Sequence, residues 1–300
     1  SRTMLCPICG HVPGCPRCSV SLTYHSANDR LMCHYCGYSQ PASATCPECG
    51  TAYRMVGTGT QRVEQEIKAM WPGMETIRMD ADTVSATNPH EKILSRFQQE
   101  KIPVLIGTQM VTKGLNFPNV TLVGVLAADM SLYSSDYRSG ERTFQLLVQA
   151  AGRAGRGSAP GEVVIQTYDP EHYSIKTAAK QDYQAFYREE LEFRDRMGYP
   201  PVENLMAVLA ACEDEALLEK ACKYLKEYIL RIKGQAQLNV IGPASPGVDK
   251  IKDIYRRVVY VKAPEYRTLV VLKDRMEQYI EINSGFQKMR IQFDFNPMNL

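Results

Sequence analysis

Gln149-Ala150-Ala151-Gly152-Arg153-Ala154-Gly155-Arg156 sets two arginines three residues apart, flanked by alanine and glycine, at the end of a predicted helix from Ser139 to Ala151. Small neighbours let both guanidinium groups reach one anion. An arginine on a rigid element and aimed at a γ-phosphate stabilises the charge of a phosphoryl-transfer transition state. The rival reading is a solvated helix end capped by glycine. It leaves the Gln-x-x-Gly-Arg-x-Gly-Arg spacing without a reason.

Outward from this string the chain alternates short apolar runs with amphipathic ones. The pattern predicts a helix over about 61–70, a strand Thr76–Met79, a helix over about 89–99, strands Val104–Ile106 and Thr121–Leu126, and a strand Glu162–Thr167 after the arginines. Strands alternating with helices mean an α/β fold, a parallel sheet with helices on its faces. A charged helix over about 180–197 leads to Tyr199-Pro200-Pro201, the clearest boundary, because the residue before a proline is pushed out of helix. Beyond it the order is strand 205–212, helix 214–232, strand 238–241, strand 255–262, helix 266–280 and strand 288–295, a βαββαβ arrangement with both helices on one face of the sheet. In its first helix Leu217, Ala221, Tyr224, Leu225, Tyr228, Ile229 and Ile232 recur at helical steps and are expected to face the core. Cys212 and Cys222 lie among apolar residues and read as small buried hydrophobes.

Eight of the ten cysteines form four Cys-x-x-Cys pairs within the first 49 residues: Cys6/Cys9, Cys15/Cys18, Cys33/Cys36 and Cys46/Cys49. A two-residue spacer presents both thiolates to one metal, and eight sulfurs make two closed tetrahedral zinc sites of the structural kind. Disulfides are the alternative. They are disfavoured in a chain showing no secretory signal or transmembrane run, which belongs in a reducing compartment. A nested pairing is expected. Cys15, Cys18, Cys33 and Cys36 hold an inner zinc, with residues 19–32 as a ribbon hairpin, and Cys6, Cys9, Cys46 and Cys49 hold an outer zinc around its base. His11, His25 and His34 read as surface or packing residues. This module, residues 1–55, is poor in aliphatic residues and depends on metal for folding energy.

Three hundred residues with 44% hydrophobic content suffice for two domains besides the zinc module, and a net charge of +2 permits a nucleic-acid partner without requiring one. The sequence shows neither low-complexity segments nor a tandem repeat beyond the cysteine pairs.

The arginine string resembles motif VI of the superfamily 2 helicases. Gly107-Thr108-Gln109-Met110-Val111-Thr112-Lys113-Gly114-Leu115-Asn116-Phe117-Pro118 is similar to their motif V. The run Asp129-Met130-Ser131-Leu132-Tyr133-Ser134-Ser135-Asp136-Tyr137-Arg138-Ser139-Gly140-Glu141-Arg142, followed by Gln145-Leu146-Leu147, most resembles the primosomal replication-restart (PriA) helicase family. That family also carries four Cys-x-x-Cys pairs inside its second helicase lobe and a small domain after it. The resemblance covers essentially the whole chain and is weakest in the last hundred residues. It implies a zinc-binding module at 1–55, a RecA-like second lobe with motifs IV to VI at 56–198, and a C-terminal α+β domain at 199–300. The two-zinc ribbon is an insertion in the lobe.

By the same resemblance Arg153 and Arg156 face ATP at the cleft between lobes, Arg156 being the finger, and Gln149 bonds phosphate or the partner lobe. Gly152, Gly155 and Asn116 border the nucleotide, although Asn116 replaces the acidic residue usual in related helicases. Thr108 and Lys113 contact the backbone of single-stranded DNA, and Gly57-Thr58-Gly59-Thr60 adds amides at a helix start, with Gly59 and Thr60 nearest the phosphate. That turn also reads simply as a helix start. Arg138 and Arg142 read equally as partners of Asp136 and Glu141 on a solvated helix.

No Gly-x-x-x-x-Gly-Lys-Ser/Thr occurs, and Gly107–Gly114 misses it at Thr112. Asp214-Glu215-Ala216-Leu217 mimics a magnesium-binding strand end but follows the arginine motif, so carboxylates at a helix N-terminus explain it better. Without a phosphate-gripping lysine and a magnesium carboxylate the chain supplies the finger and not the pocket. The expectation is a C-terminal fragment lacking the first lobe, without ATPase activity alone. The intact protein is expected to use ATP and Mg²⁺ to move 3′ to 5′ on DNA, to recognise stalled or abandoned forks and to start primosome assembly. Its expected partners are single-stranded and branched DNA, single-stranded DNA-binding protein and primosome proteins, with no membrane partner, as a monomer in the bacterial cytoplasm. Rival readings are a non-catalytic zinc-ribbon adaptor and another superfamily 2 repair helicase.

Overall fold

The computed structural model describes residues 3–25, 28–56, 59–80, 83–84, 90–112, 117–134, 136–155 and 160–298. The chain divides into two compact units, one of Met55–Ser134 and Arg138–Arg188, the other of Thr3–Arg54, Ser135–Tyr137 and Glu189–Leu300.

In the cysteine-rich segment, β1 (Thr3–Leu5) is followed by β2 (Thr23–His25), β3 (Arg30–Met32) and β4 (Ser39–Pro41). The last three form an antiparallel sheet in which Tyr24 faces Leu31 and Leu31 faces Gln40, so the expected hairpin between Cys18 and Cys33 is present. Its buried aliphatic side chains are few, Met4, Leu22 and Leu31 among them, and cysteine sulfurs fill the rest of the interior.

β5 (Arg54–Val56) leads to α1 (Thr60–Met70), β6 (Thr76–Met79), α2 (His90–Gln99), β7 (Val104–Gly107), β8 (Leu122–Val125), α3 (Ser139–Ala151), β9 (Glu162–Ile165) and α4 (Tyr173–Ala179). β6 and β7 pair in parallel around α2, and β8 and β9 pair in parallel around α3. Each is a βαβ unit, as the alternation predicts. Among the described residues β6 to β9 make two separate pairs where one continuous sheet was expected. β8 and β9 alternate exposed and half-buried residues, with Leu122 and Val164 turned to solvent, the pattern of strands covered on one face. Ile77, Met79, Ile93 and Ile102 make the core around α2. Ala128, Phe144, Leu147, Ile175, Ala178 and Phe186 make the core around α3.

The helix expected over 180–197 starts later. Lys180–Asp182 interrupts it, with Gln181 at φ 53°, and the Asp182 carboxylate accepts the Ala185 N–H at 2.9 Å, the signature of an N-cap for α5 (Tyr183–Met197).

The remainder is β10 (Asn204–Cys212), α6 (Glu215–Ile232), β11 (Asn239–Ala244), β12 (Lys250–Ile251), β13 (Ile254–Ala263), α7 (Tyr266–Ile282) and β14 (Arg290–Phe295). The strands lie in the order β11-β13-β10-β14, all antiparallel, with the short β12 added against β13. Leu218, Leu225 and Ile229 of α6 and Leu269, Leu272 and Met276 of α7 pack with Met206, Val208, Val259 and Val261. Cys212 and Cys222 are buried in this core, and burial pushes the Cys222 thiol up to about 11. Tyr224 is the exception to the expected stripe. It is 47% exposed with the Lys220 ammonium over its ring, because the buried face of α6 follows Leu218, Ala221, Cys222, Leu225 and Ile229. Asp214 accepts the Leu217 N–H at 3.0 Å and so caps α6, which accounts for the carboxylates there.

Candidate zinc sites and arginine motif

The turns that carry the cysteines form because each pair spans a tight bend whose backbone folds back on itself. The first cysteine's N–H reaches the carbonyl five residues on, as from Cys6 to His11 at 2.9 Å and from Cys46 to Thr51 at 2.8 Å. This brings the sulfurs of Cys6, Cys9, Cys46 and Cys49 within 4.8 Å of one another, and those of Cys15, Cys18, Cys33 and Cys36 likewise. These are the two sets that the nested reading joins. His11 lies outside both and its Nδ1 hydrogen-bonds the Tyr53 hydroxyl at 2.6 Å.

Four thiols this close cannot all ionise by themselves. In the outer set the Thr51 hydroxyl and amide, then the Cys6 thiol, hold Cys49 down at about 6. The His11 amide favours the Cys9 thiolate, but Cys6, burial and the other thiols together push it up to about 12. In the inner set burial opposes the Cys33 thiolate, yet the amides of Cys36 and Tyr35 and neighbouring thiols bring it to about 7, while burial drives Cys15 up to about 12. A dication removes the conflict by letting every sulfur bind as thiolate. Both clusters are compatible with one zinc ion each.

The arginine motif closes α3. The Gly152 N–H returns to the Val148 carbonyl at 2.9 Å and the Arg153 N–H to Ala150 at 3.0 Å. Gly155 then takes φ 71° and donates to the Val120 carbonyl at 3.0 Å, beside the amino end of β8. A Cβ on Gly155 would stand 2.6 Å from the Gly161 nitrogen, so only glycine fits. Gln149 is exposed and Arg153 half-buried. Arg156, the proposed finger, lies outside the described residues, as do Lys113, Asn116, Gly57 and Thr58.

Thr108 is exposed immediately after β7. Gly107 before it is packed so closely that a Cβ would stand 2.7 Å from the Met79 carbonyl. Gly59 is the N-cap of α1 in extended backbone, and the hydroxyl of Thr60 donates to the Asp80 carboxylate. Since Met79 pairs with Gly107, Asp80 and Thr108 both follow the carboxyl end of the parallel pair, and Thr60 is tied to the same end. The carboxyl ends of parallel strands are where α/β folds gather ligands. Thr60 was expected to offer its N-terminal position to DNA, and the structure commits its hydroxyl to protein.

Two of the buried carboxylates, Asp80 and Asp129, have no role assigned from the sequence. Asp80, 5% exposed, bonds Thr60 and the Thr83 N–H, the latter at 2.9 Å. Asp129, 3% exposed, accepts from the Thr167 hydroxyl at 2.6 Å and the Tyr168 N–H at 3.0 Å, which pins the chain leaving β9. The Thr167 bond holds its carboxyl below the usual range against the pull of burial, helped by the amides of Tyr168 and Asp169. The available signal was position: each is the first acidic residue past an apolar strand.

Comparison with known proteins decides the family. Residues 15–41 match the PriA DNA helicase Cys-rich region (CRR) domain, 53–158 the helicase conserved C-terminal domain, and 195–298 the Primosomal protein N C-terminal domain. The replication restart protein PriA of Bacillus subtilis is 43% identical over 298 residues, covering 99% of this chain and 37% of that protein. Its counterpart in Synechocystis is 37% identical over 305 residues, 100% of this chain and 36% of that one. That of Borreliella burgdorferi is 32% identical over 304 residues, 100% and 44%. The chain belongs to the PriA family. It spans less than half the length of these relatives. The PriA cysteine-rich match takes in all four inner cysteines and the β2-β3-β4 sheet, and the outer cysteines flank it on both sides. The PriA C-terminal match begins inside α5 and ends after β14.

Proposed function

We propose that this chain is the arginine-bearing part of an ATP-driven DNA helicase that, in the intact protein, moves 3′ to 5′ on single-stranded DNA, recognises stalled or abandoned replication forks and begins primosome assembly. The observation that carries this reading is the Gln149–Arg156 string at the end of α3, where a closely packed glycine in left-handed backbone, Gly155, turns the chain after Arg153. Membership of the PriA family supports it.

In this reading residues 56–198 are a RecA-like second lobe, 1–55 a zinc module and 199–300 a C-terminal domain. Arg153 and Arg156 stabilise charge on the γ-phosphate of ATP bound with Mg²⁺, with Gln149, Gly152, Gly155 and Asn116 beside the nucleotide. Thr108 and Lys113 hold the DNA backbone. Gly59 and Thr60 contribute the positive end of α1, Thr60 through its amide because its hydroxyl is held by Asp80. Closure on ATP and release after hydrolysis then move one lobe against the other along the strand. Two zinc ions, held by Cys6, Cys9, Cys46 and Cys49 and by Cys15, Cys18, Cys33 and Cys36, are structural. The protein acts as a monomer in the bacterial cytoplasm with single-stranded DNA-binding protein and primosome proteins. Among the described residues no helix is long and apolar enough to cross a membrane.

The test compares the purified 300-residue chain with the intact protein. The chain alone should show no DNA-stimulated ATP hydrolysis while the intact protein hydrolyses ATP and unwinds a forked duplex. Turnover by the chain alone, or no unwinding by the intact protein, contradicts the proposal.

A further inference from the structure

Three of the four Cys-x-x-Cys turns close on themselves. In each, a glycine follows the second cysteine in left-handed backbone, with φ 74° at Gly10, 78° at Gly37 and 72° at Gly50. Its N–H returns to the carbonyl of the first cysteine, at 3.0 Å to Cys6, 2.9 Å to Cys33 and 2.9 Å to Cys46. The N–H two residues beyond the second cysteine then faces that cysteine's sulfur. Tyr38 donates to Cys36 Sγ at 3.4 Å, and the amides of His11 and Thr51 serve Cys9 and Cys49 in the same way. Such bonds orient a thiolate and spread its charge, as outer partners do for metal ligands generally.

The fourth turn, Cys15-Pro16-Arg17-Cys18, is followed by Ser19, which is not among the residues at positive φ. Both closing bonds are supplied from more than 230 residues away. The Ser19 N–H goes to the Lys250 carbonyl at 3.0 Å, and the Val20 N–H turns to the Cys18 carbonyl at 2.8 Å. Cys18 Sγ accepts instead from the Lys252 N–H at 3.3 Å. The Asp253 N–H bonds the Arg17 carbonyl at 2.9 Å, and the Asp253 carboxylate takes the Arg17 guanidinium at 2.7 Å. Lys250 Nζ reaches the Pro16 carbonyl at 3.3 Å. Lys252 and Asp253, at φ 53° and 66°, are the two-residue turn between β12 and β13, where Ile251 pairs with Ile254. An aspartate tolerates left-handed backbone, whereas a lysine seldom does, so the turn chemistry alone accounts for Asp253 and not for Lys252.

We infer that the β12–β13 turn is the missing arm of the inner four-cysteine site. The Lys252 amide is a positioning group for Cys18, and metal retention by Cys15, Cys18, Cys33 and Cys36 is linked to the order of residues 250–253. The outer site, whose turns close locally, is independent of that turn. The inference rests on the reading of both clusters as zinc sites.

Zinc release from the 300-residue zinc-loaded chain into a chromophoric chelator tests it, with the outer site as internal control. Two zinc ions per wild-type chain establish the underlying reading, and a wild-type chain without them removes that reading and the inference together. Lys252→Pro lacks the N–H and opposes the positive φ, whereas Lys252→Gly keeps both. One of the two ions should leave Lys252→Pro about 10- to 100-fold faster than wild type while the other is unchanged, and Lys252→Gly should match wild type for both. The reciprocal measurement is hydrogen exchange in Cys15→Ser, where the amides of Lys252 and Asp253 should lose protection and the β10–β13 ladder should keep it. Unchanged release from Lys252→Pro, equal acceleration in Lys252→Gly, or unchanged exchange at Lys252 in Cys15→Ser would overturn the inference. Should Lys252→Pro fail to fold, the exchange experiment decides alone.

Discussion

At Asp129 three donors, one hydroxyl and two amides, converge on one carboxylate. Its folded pKa is held below the ordinary value, so its stabilisation is complete above the unfolded pKa of ~4. That stabilisation is lost as pH falls through the folded value. Asp129→Asn should therefore melt below wild type at neutral pH, with the gap closing as the solution is acidified, and a gap independent of pH would refute the assignment. The Arg194–Glu190 pair poses a sharper demand. Both side chains are under 10% exposed, the guanidinium also bonds the Pro200 carbonyl at 2.9 Å, and it lies over the Tyr137 ring. Removing one member strands a buried charge, so Glu190→Ala should cost about 3–5 kcal/mol in urea unfolding of the unit that contains it. Gly155→Ala meets both a left-handed backbone and the Gly161 nitrogen, and should lose ~2 kcal/mol or more.

Elements whose boundaries are set by local chemistry were legible. α3 runs Ser139–Ala151 as the apolar spacing predicts, β6 runs Thr76–Met79, and the expected βαββαβ order beyond Pro201 is present with one added short strand, β12. Elements set by distant contacts were not. α4 is short, and what makes it helical is packing of Ile175 and Ala178 on Phe144 and Leu147 of α3. β12 is two residues long and is held partly by the Pro16–Ser19 turn far away in sequence. The same division runs through the candidate sites. Cysteine spacing revealed the two four-cysteine clusters, because a tight turn is a local device, whereas Asp80 and Asp129 act across the fold and looked like ordinary loop carboxylates. For α6 the buried stripe gives a direct test: Leu225, fully buried, should cost about 2–5 kcal/mol on change to alanine. Exposed Tyr224 on the same helix should cost well under 1 kcal/mol.

Across the molecule the two kinds of folding energy are separate. The C-terminal sheet has a continuous apolar core of its own, while the cysteine-rich segment has sulfurs where aliphatic side chains would be. Chelation should therefore unfold residues 3–54 and leave the β10–β13–β14 ladder protected from exchange, with re-addition of zinc restoring the lost protection. In the proposed function the arginine motif belongs to a different level, its chemistry being completed by a nucleotide held elsewhere in the intact protein. The most direct test is steady-state ATP hydrolysis by the intact protein carrying Arg156→Ala, measured with saturating single-stranded DNA. A finger predicts turnover reduced by about 10³-fold or more with DNA affinity kept, and turnover near wild type would contradict the central claim.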